Sequence, residues 1–385
     1  MVGSSLLAAM GFEHLSAVET VLAVIGFAML ACCAAATVAL FVGEVAHRCT
    51  RRLRVAELWI YPVKSCGGVR VAEARLDRAG LRYDREFAVV KRATGEVLSQ
   101  KQYPALAAVS PRPVYGRVGE LLELVLSSPG GGSVRVDVRT AGDHATTTWS
   151  GHDGPLSAVV YPLGDAWLSD HLGLDVTLCR LRGARPLRGT RLAPVSLDDR
   201  DRCRYQDGAP LTWVGEASVA AVNRRVRARL PAFHFRPNVV IAGCRAFEEA
   251  TWARVHVGAR RVPIRALMDC YRCTMVTVDQ AGEAAPGARP RGHDVFAGMK
   301  RFLAKDAATH GPLPGANPNL AVFAAPDDAV GVVIREGDDV APTPIGRPSI
   351  WAHNRARHPD EFELDDRRFW VRTGAKQTAG SKKDD

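Results

Sequence analysis

The 385-residue sequence predicts an α+β chain, β-rich throughout, preceded by one transmembrane helix. Three observations lead there. Glycine (35) and proline (23) are frequent while aromatics make up only 7%, which favours short strands and turns over long helices. Residues 21–42 carry no charge, and a helix of that length would extend roughly 33 Å, a match for the hydrocarbon core of a bilayer. Beyond residue 55 apolar residues recur in short runs broken by turn residues, and a hydrophobic content of 47% is enough for real cores.

Residues 1–46 read as a signal anchor with its helix at about 21–42. A cleaved signal peptide needs a basic stretch before the apolar run, and this chain has Glu13 and Glu19 there instead. The basic cluster His47, Arg48, Arg51, Arg52 and Arg54 follows the span, so the positive-inside rule predicts that the remainder faces the cytosol.

A β-rich domain is expected over 55–182. Val69 to Leu76 alternates loosely, Glu86 to Val90 and Leu121 to Leu126 are buried-type runs, and Pro129-Gly130-Gly131-Gly132 before Val134 signals a hairpin. Asp165 to Leu172 reads as a short helix stopped by Gly173, with a strand over 175–181. The arginine-rich stretch 182–204 reads as an exposed linker. A second domain is expected over 205–345, with a helix carrying Val219, Val222, Val226 and Leu230 on one face. Strands are expected near 238–242, 274–279, 320–324 and 332–335, with a long loop over 281–318 and a polar tail over 346–385.

The formal charge of +10 could serve a membrane surface, an acidic protein or a nucleic acid. The Lys/Arg runs lack interleaved aromatics and no nucleic-acid motif occurs, so no nucleic-acid partner is expected. Nine cysteines at irregular spacings point to reduced thiols rather than a disulfide framework. Cys270-x-x-Cys273 could be half a zinc site, a redox pair or two buried structural cysteines. No second ligand pair stands at zinc spacing, and a redox pair normally opens a helix.

The basic residues change the weighting. Lys64-Ser65-Cys66-Gly67-Gly68 lies between strands, Arg85 follows Asp84 at a strand start, and Arg236 precedes Pro237, which predicts an extended backbone there. Lysine, serine and planar arginines together make a phosphate receptor. Cys273, beside Arg272, is the thiol whose neighbouring cation would favour a thiolate.

In order along the chain, Leu58 to Cys66, Tyr83-Asp84-Arg85, Gly215 to Ser218, Phe235 to Val240, Arg272 to Asp279 and Ile334 to Val340 resemble the MOSC-domain molybdenum proteins, nearest to the mitochondrial amidoxime-reducing components. That resemblance covers about residues 55–345. It implies a small β-rich MOSC N-terminal domain against a MOSC β-barrel, with a molybdenum cofactor (Mo-molybdopterin) in the cleft between them. Cys273 would be the catalytic metal ligand. Lys64, Ser65, Arg85, Asp207, Arg236 and Arg272 would line the cofactor, four of them (Lys64, Ser65, Arg85, Arg236) on the pterin phosphate and ring edge. The implied reaction reduces amidoximes, hydroxylamines and N-hydroxylated bases, turning N–OH into N–H and water with two electrons and two protons.

No cysteine follows Cys273 and no Gly-rich nucleotide unit occurs, so electrons are expected from outside. The resemblance implies a b-type cytochrome with its NADH-dependent flavin reductase, and a place at the mitochondrial outer membrane. The weighed alternatives are sulfur transfer and a cofactor carrier on the same fold. Three departures from the family stand out: Gly208 and Ala209 offer only backbone where a hydroxyl is usual, Tyr271 replaces a small residue or proline, and loop 281–318 diverges. Asp207, Asn238 and Tyr271 are the candidate proton donors by position.

Overall fold

The computed structural model describes residues 21–22, 25–26, 28–38, 51–140, 142–149, 154–187, 200–280, 295–303, 318–327 and 330–344. Two compact units divide the chain at residue 52. In the first, the longest described helical run is 28–38, which rises only roughly 16 Å, about half of a bilayer's apolar thickness. Among the described residues no helix is long and apolar enough to cross a membrane, and this corrects the expected transmembrane helix. Residues 23–24, 27 and 39–42 of that span, and the cluster at 47–50, lie outside the described residues.

The second unit is built on strands. They begin with β1 (Arg54–Ile60), β2 (Val69–Arg70), β3 (Glu73–Asp77), β4 (Gly80–Leu81) and β5 (Phe87–Lys91). Next come β6 (Ser110–Tyr115), β7 (Leu121–Ser127), β8 (Ser133–Asp137), β9 (His144–Thr147), β10 (Leu156–Tyr161), helix α1 (Asp165–Leu172) and β11 (Val176–Leu181). After β12 (Arg185–Pro186) and β13 (Arg202–Cys203) follow β14 (Leu211–Gly215), α2 (Glu216–Val226), β15 (Val239–Ala242), β16 (Trp252–Val257) and β17 (Val262–Tyr271). Helix α3 (Val295–Leu303), β18 (Asn319–Pro326), β19 (Val333–Arg335) and β20 (Val340–Pro344) complete the set.

The largest sheet runs β2-β1-β15-β14-β18-β17-β16-β20. Its pairs are antiparallel except β14–β15, which are parallel and joined through α2. The last strand returns to the first: Val55 N–H donates to the Asp338 carbonyl, and Val340 N–H to the Leu53 carbonyl, both at 2.9 Å. The sheet therefore closes on itself between the start of β1 and the start of β20, with the two-residue β2 lying beyond that seam. Trp213, Val255, Ile264 and Val322 face inward from four different strands and form its core with Leu58 and Ile241. A four-stranded sheet, β5-β11-β10-β9, and a three-stranded one, β6-β7-β8, come from the segment after β4.

Four sequence expectations change here. Residues 274–277 form a 3-10 turn, not a strand, because Val276 N–H bonds the Cys273 carbonyl (3.3 Å) and Val278 N–H the Met275 carbonyl (3.1 Å). The strand lies before Cys273, in β17, where β18 pairs with it. Arg236 is left-handed (φ 54°, ψ 43°) rather than extended, since it ends the 3-10 turn Ala232–Phe235 and its N–H bonds the Phe233 carbonyl (2.9 Å). The stretch 182–204 is not simply an exposed linker: β12 pairs with β13, and Arg185, Leu187, Cys203 and Arg204 are buried. Within 281–318, residues 295–303 form helix α3, whose Val295, Met299 and Leu303 share one buried face against Val222. Residues 188–199, 281–294, 304–317 and the tail 345–385 lie outside the described residues.

Candidate functional site

Lys64, Ser65, Arg85, Asp207, Arg236, Arg272 and Cys273 all line one cavity of about 560 Å³ in the second unit. The chain brings them there from loops at strand ends. Lys64 and Ser65 follow β1, Arg85 closes the turn before β5, Asp207 follows β13, Arg236 precedes β15, and Arg272 and Cys273 leave the end of β17. Ser65, Arg85 and Arg236 all have left-handed backbones (φ 66°, 49° and 54°). For non-glycine residues this costs of order 1 kcal/mol or more each, and such strain collects where side chains must be aimed.

Each cation of the wall is tied down differently. Lys64 Nζ lies 2.5 Å from Asp207 Oδ1, donates to the Tyr205 carbonyl (3.0 Å) and sits 4.1 Å from the Trp149 ring centroid. Its side chain is 5% exposed, whereas that of Asp207 keeps 56% because it faces the cavity. Burial holds the Lys64 ammonium below its ordinary value, with Asp207 opposing. Burial would push the Asp207 carboxyl up, but the Lys64 charge and hydrogen bond prevail and hold it down. Arg85 grips Asp84 with Nη1 (2.6 and 2.8 Å), and Asp84 is wholly buried.

Among the described residues, Arg236 and Arg272 have no carboxylate partner. Arg236 Nη1 donates to the Cys66 carbonyl (2.7 Å) and to Gln280 Oε1 (3.1 Å). Burial, with the nearby Arg85 charge adding to it, pushes the Arg236 guanidinium down to about 10. Arg272 donates Nε to the Leu320 carbonyl (2.8 Å) and Nη1 to the Phe235 carbonyl (2.7 Å), while its Nη2 is buried without a partner. A buried guanidinium with an unmatched donor is costly unless an anion completes it.

Cys273 is half-buried and has an extended backbone, opening the 3-10 turn that follows. Cys270, the other half of the pair, is buried, and burial pushes its thiol up to about 11. Of the two, the accessible thiol beside Arg272 is Cys273. Among the described residues no three His, Cys, Asp or Glu side chains converge on a common point, so a structural zinc site finds no ligand set here. Asn238 spends its amide on the backbone, donating to the Trp59 carbonyl (3.1 Å) and accepting from Thr212 N–H (3.2 Å). The Tyr271 hydroxyl is buried without a partner, and burial raises its pKa, so it stays protonated.

Several residues of the site were not singled out from the sequence. His234 lines the cavity and its Nε2 lies 2.7 Å from the Val276 carbonyl, tying the turn after Cys273 to the turn before Arg236. Arg185 donates to the carbonyls of Arg204 (2.9 Å) and Gln206 (2.8 Å), fixing the segment that presents Asp207. Gln206 reaches Asp84 Oδ2 (3.2 Å), and Trp149 forms the wall under Lys64. The run Tyr-Pro-Val-Lys-Ser is a local signal for a ligand loop; for Trp149 and Arg185 the sequence holds none, because their roles come from distant strands.

A donor-rich wall with unmatched guanidinium hydrogens and one accessible thiol suits an anionic ligand carrying a soft metal. Comparisons with known proteins agree with this chemistry. The MOSC N-terminal beta barrel domain model matches residues 52–175, and the MOSC domain model matches 200–341. Mitochondrial amidoxime reducing component 2 of Macaca fascicularis is 31% identical over 268 residues, covering 66% of this chain and 76% of that protein. Its human counterpart is 32% identical over 235 residues (58% of this chain, 66% of that one). Mitochondrial amidoxime-reducing component 1 of Mus musculus is 30% identical over 237 residues (58% and 65%).

Proposed function

Because this chain belongs to the MOSC-domain family of the mitochondrial amidoxime-reducing components, whose fold is tied to molybdenum-cofactor chemistry, we propose that it is a molybdenum-cofactor-dependent reductase of N-hydroxylated compounds. The observation that carries the reading is the convergence of Cys273 with the cations Lys64, Arg85, Arg236 and Arg272 on one cavity. The residues fit the group: Arg272 Nη2 and the carboxylate-free Arg236 are donors in want of an anion, and Cys273 is a soft ligand for a redox metal.

Lys64, Ser65, Arg85 and Arg236 would hold the phosphate and polar edge of the pterin, and Cys273 would ligate the metal. Arg272, the neighbouring residue, would place its unmatched Nη2 donor in the same wall. When bound, the cofactor supplies the two-electron chemistry by which N–OH becomes N–H and water. The two protons need a local source. The pair Lys64 Nζ–Asp207 Oδ1, open to the cavity on the aspartate side, would relay them one after the other from solvent. Electrons come from a b-type cytochrome fed by an NADH-dependent flavin reductase, and the net charge of +10 suits an acidic partner. The names of the relatives support a mitochondrial setting.

The test is elemental analysis of the full chain purified from cells that make molybdenum cofactor, with Cys273→Ala alongside. Near-stoichiometric molybdenum in the wild type, lost in the variant, is expected, followed by amidoxime turnover with a cytochrome chain. Zinc, or no metal in a well-folded protein, would overturn the reading.

A further inference from the structure

Tyr61 does not line the cavity, yet it touches both of the turns that deliver its arginines. Its N–H donates to Asp84 Oδ1 (2.9 Å), and its carbonyl accepts from the Arg85 N–H (2.7 Å). At the far end its hydroxyl donates to the Pro237 carbonyl (3.2 Å), next to Arg236. Between these ends, the guanidinium of Arg85 lies 4.1 Å and that of Arg236 4.2 Å from the centre of the ring. Arg85 Nη2 also reaches the Arg236 carbonyl (3.3 Å), so the two turns are joined directly as well.

Two like charges in a poorly solvated wall repel, and each lowers the cost of that repulsion by resting on the electron-rich face of an aromatic ring. The ring is seated with no slack. A Cβ on Gly68 would fall 2.5 Å from Tyr61 Cε1, so the space beside the ring tolerates only glycine. Arg236 keeps Nε and Nη2 without a hydrogen bond among the described residues, ready for a ligand.

We propose that Tyr61 is a positioning residue: its ring holds both Arg85 and Arg236 as a two-guanidinium receptor for the phosphate end of the cavity's ligand. This rests on the reading of the cavity as a site for a phosphate-bearing cofactor. The ring carries the effect and the hydroxyl trims it, so phenylalanine should substitute and an aliphatic residue should not.

The probe is inorganic phosphate, titrated calorimetrically into the full-length protein made without cofactor, for wild type, Tyr61→Phe, Tyr61→Leu and Gly68→Ala. Each variant's melting temperature is measured in parallel, and pterin and molybdenum are counted in protein made with cofactor. Phosphate affinity should fall about tenfold in Tyr61→Leu and stay within about twofold in Tyr61→Phe. Gly68→Ala, which keeps Tyr61 but dislodges its ring, should fall like Tyr61→Leu. Wild-type affinity in both Tyr61→Leu and Gly68→Ala overturns the clamp, as does a Tyr61→Phe as weak as Tyr61→Leu or a wild type that binds no phosphate. If the phosphate ranking holds while the wild type takes up neither pterin nor molybdenum, the clamp stands and the cofactor assignment falls.

Discussion

Replacing Arg272 with methionine removes two charged hydrogen bonds at once. Nε reaches the Leu320 carbonyl at 2.8 Å and Nη1 the Phe235 carbonyl at 2.7 Å, tying β18 to the turn that ends at Arg236. Bonds from a charged donor are worth about 1.5–3 kcal/mol each, so roughly 3–6 kcal/mol is lost in gross terms. Against this, the buried, unpartnered Nη2 disappears, which returns about 1–3 kcal/mol. The net expectation, taken at the midpoints of both ranges, is a destabilisation of about 2.5 kcal/mol. At roughly 1.2 °C per kcal/mol for a protein of this size, Tm drops by about 3 °C in a reversible thermal melt. Lysine has one ammonium for two divergent carbonyls and should recover about half of the loss. An Arg272→Met protein that melts at or above the wild-type temperature would refute the reasoning, because the orphaned donor would then outweigh both ties.

Three further outcomes are expected. Cys273→Ala abolishes reductase turnover with an unchanged melt, whereas Cys270→Ala, which alters a buried wall residue, retains much of the activity; the opposite pattern would reverse the ligand assignment. Burial holds the His234 imidazole below its ordinary value, so the folded state resists a proton that the unfolded chain accepts. Stability should therefore decline as pH falls below about 6.5, down to the depressed folded value, and His234→Gln should flatten that slope in melts taken from pH 5 to 7.5. Gly80→Ala should cost about 3 kcal/mol or more in denaturant titration, since φ is +101° and its Cβ would collide with the Pro210 carbonyl.

Much of the second unit was readable because its signals are local. Helix α1 ends at Gly173, which is left-handed as a stop requires, and the run 121–126 became β7. Lysine, arginine and cysteine in short ordered motifs carry their chemistry with them, and the residues picked out on that ground come to line one cavity. What escaped depends on contacts made far along the chain. Thr274 to Val278 has strand composition, yet its carbonyl at Val276 is taken by His234 and the segment winds into a 3-10 turn. Arg236 defies the preference imposed by Pro237 because Tyr61, Cys66 and Gln280 hold its side chain. The apolar run 21–42 shows the limit of composition: the absence of charge makes a span possible, yet among the described residues no helix is long and apolar enough to cross a membrane.

The closure of the large sheet has a practical consequence for dissecting this protein. Strand β1, near the start of the second unit, is the stave between β15 and the returning β20 end, while the other strands of that sheet apart from the short β2 come from beyond residue 210. A fragment beginning after the β12–β13 ladder would lack that stave. The edge of Val239–Ala242, fully buried in the intact chain, would be bare, apolar and ready to recruit a strand from another molecule. The N-terminal fragment would in turn carry β1 with nothing to insert it into. Cutting the chain between its two family-matched segments should thus yield aggregating pieces, and mixing them should restore solubility only if the β1 peptide finds its slot.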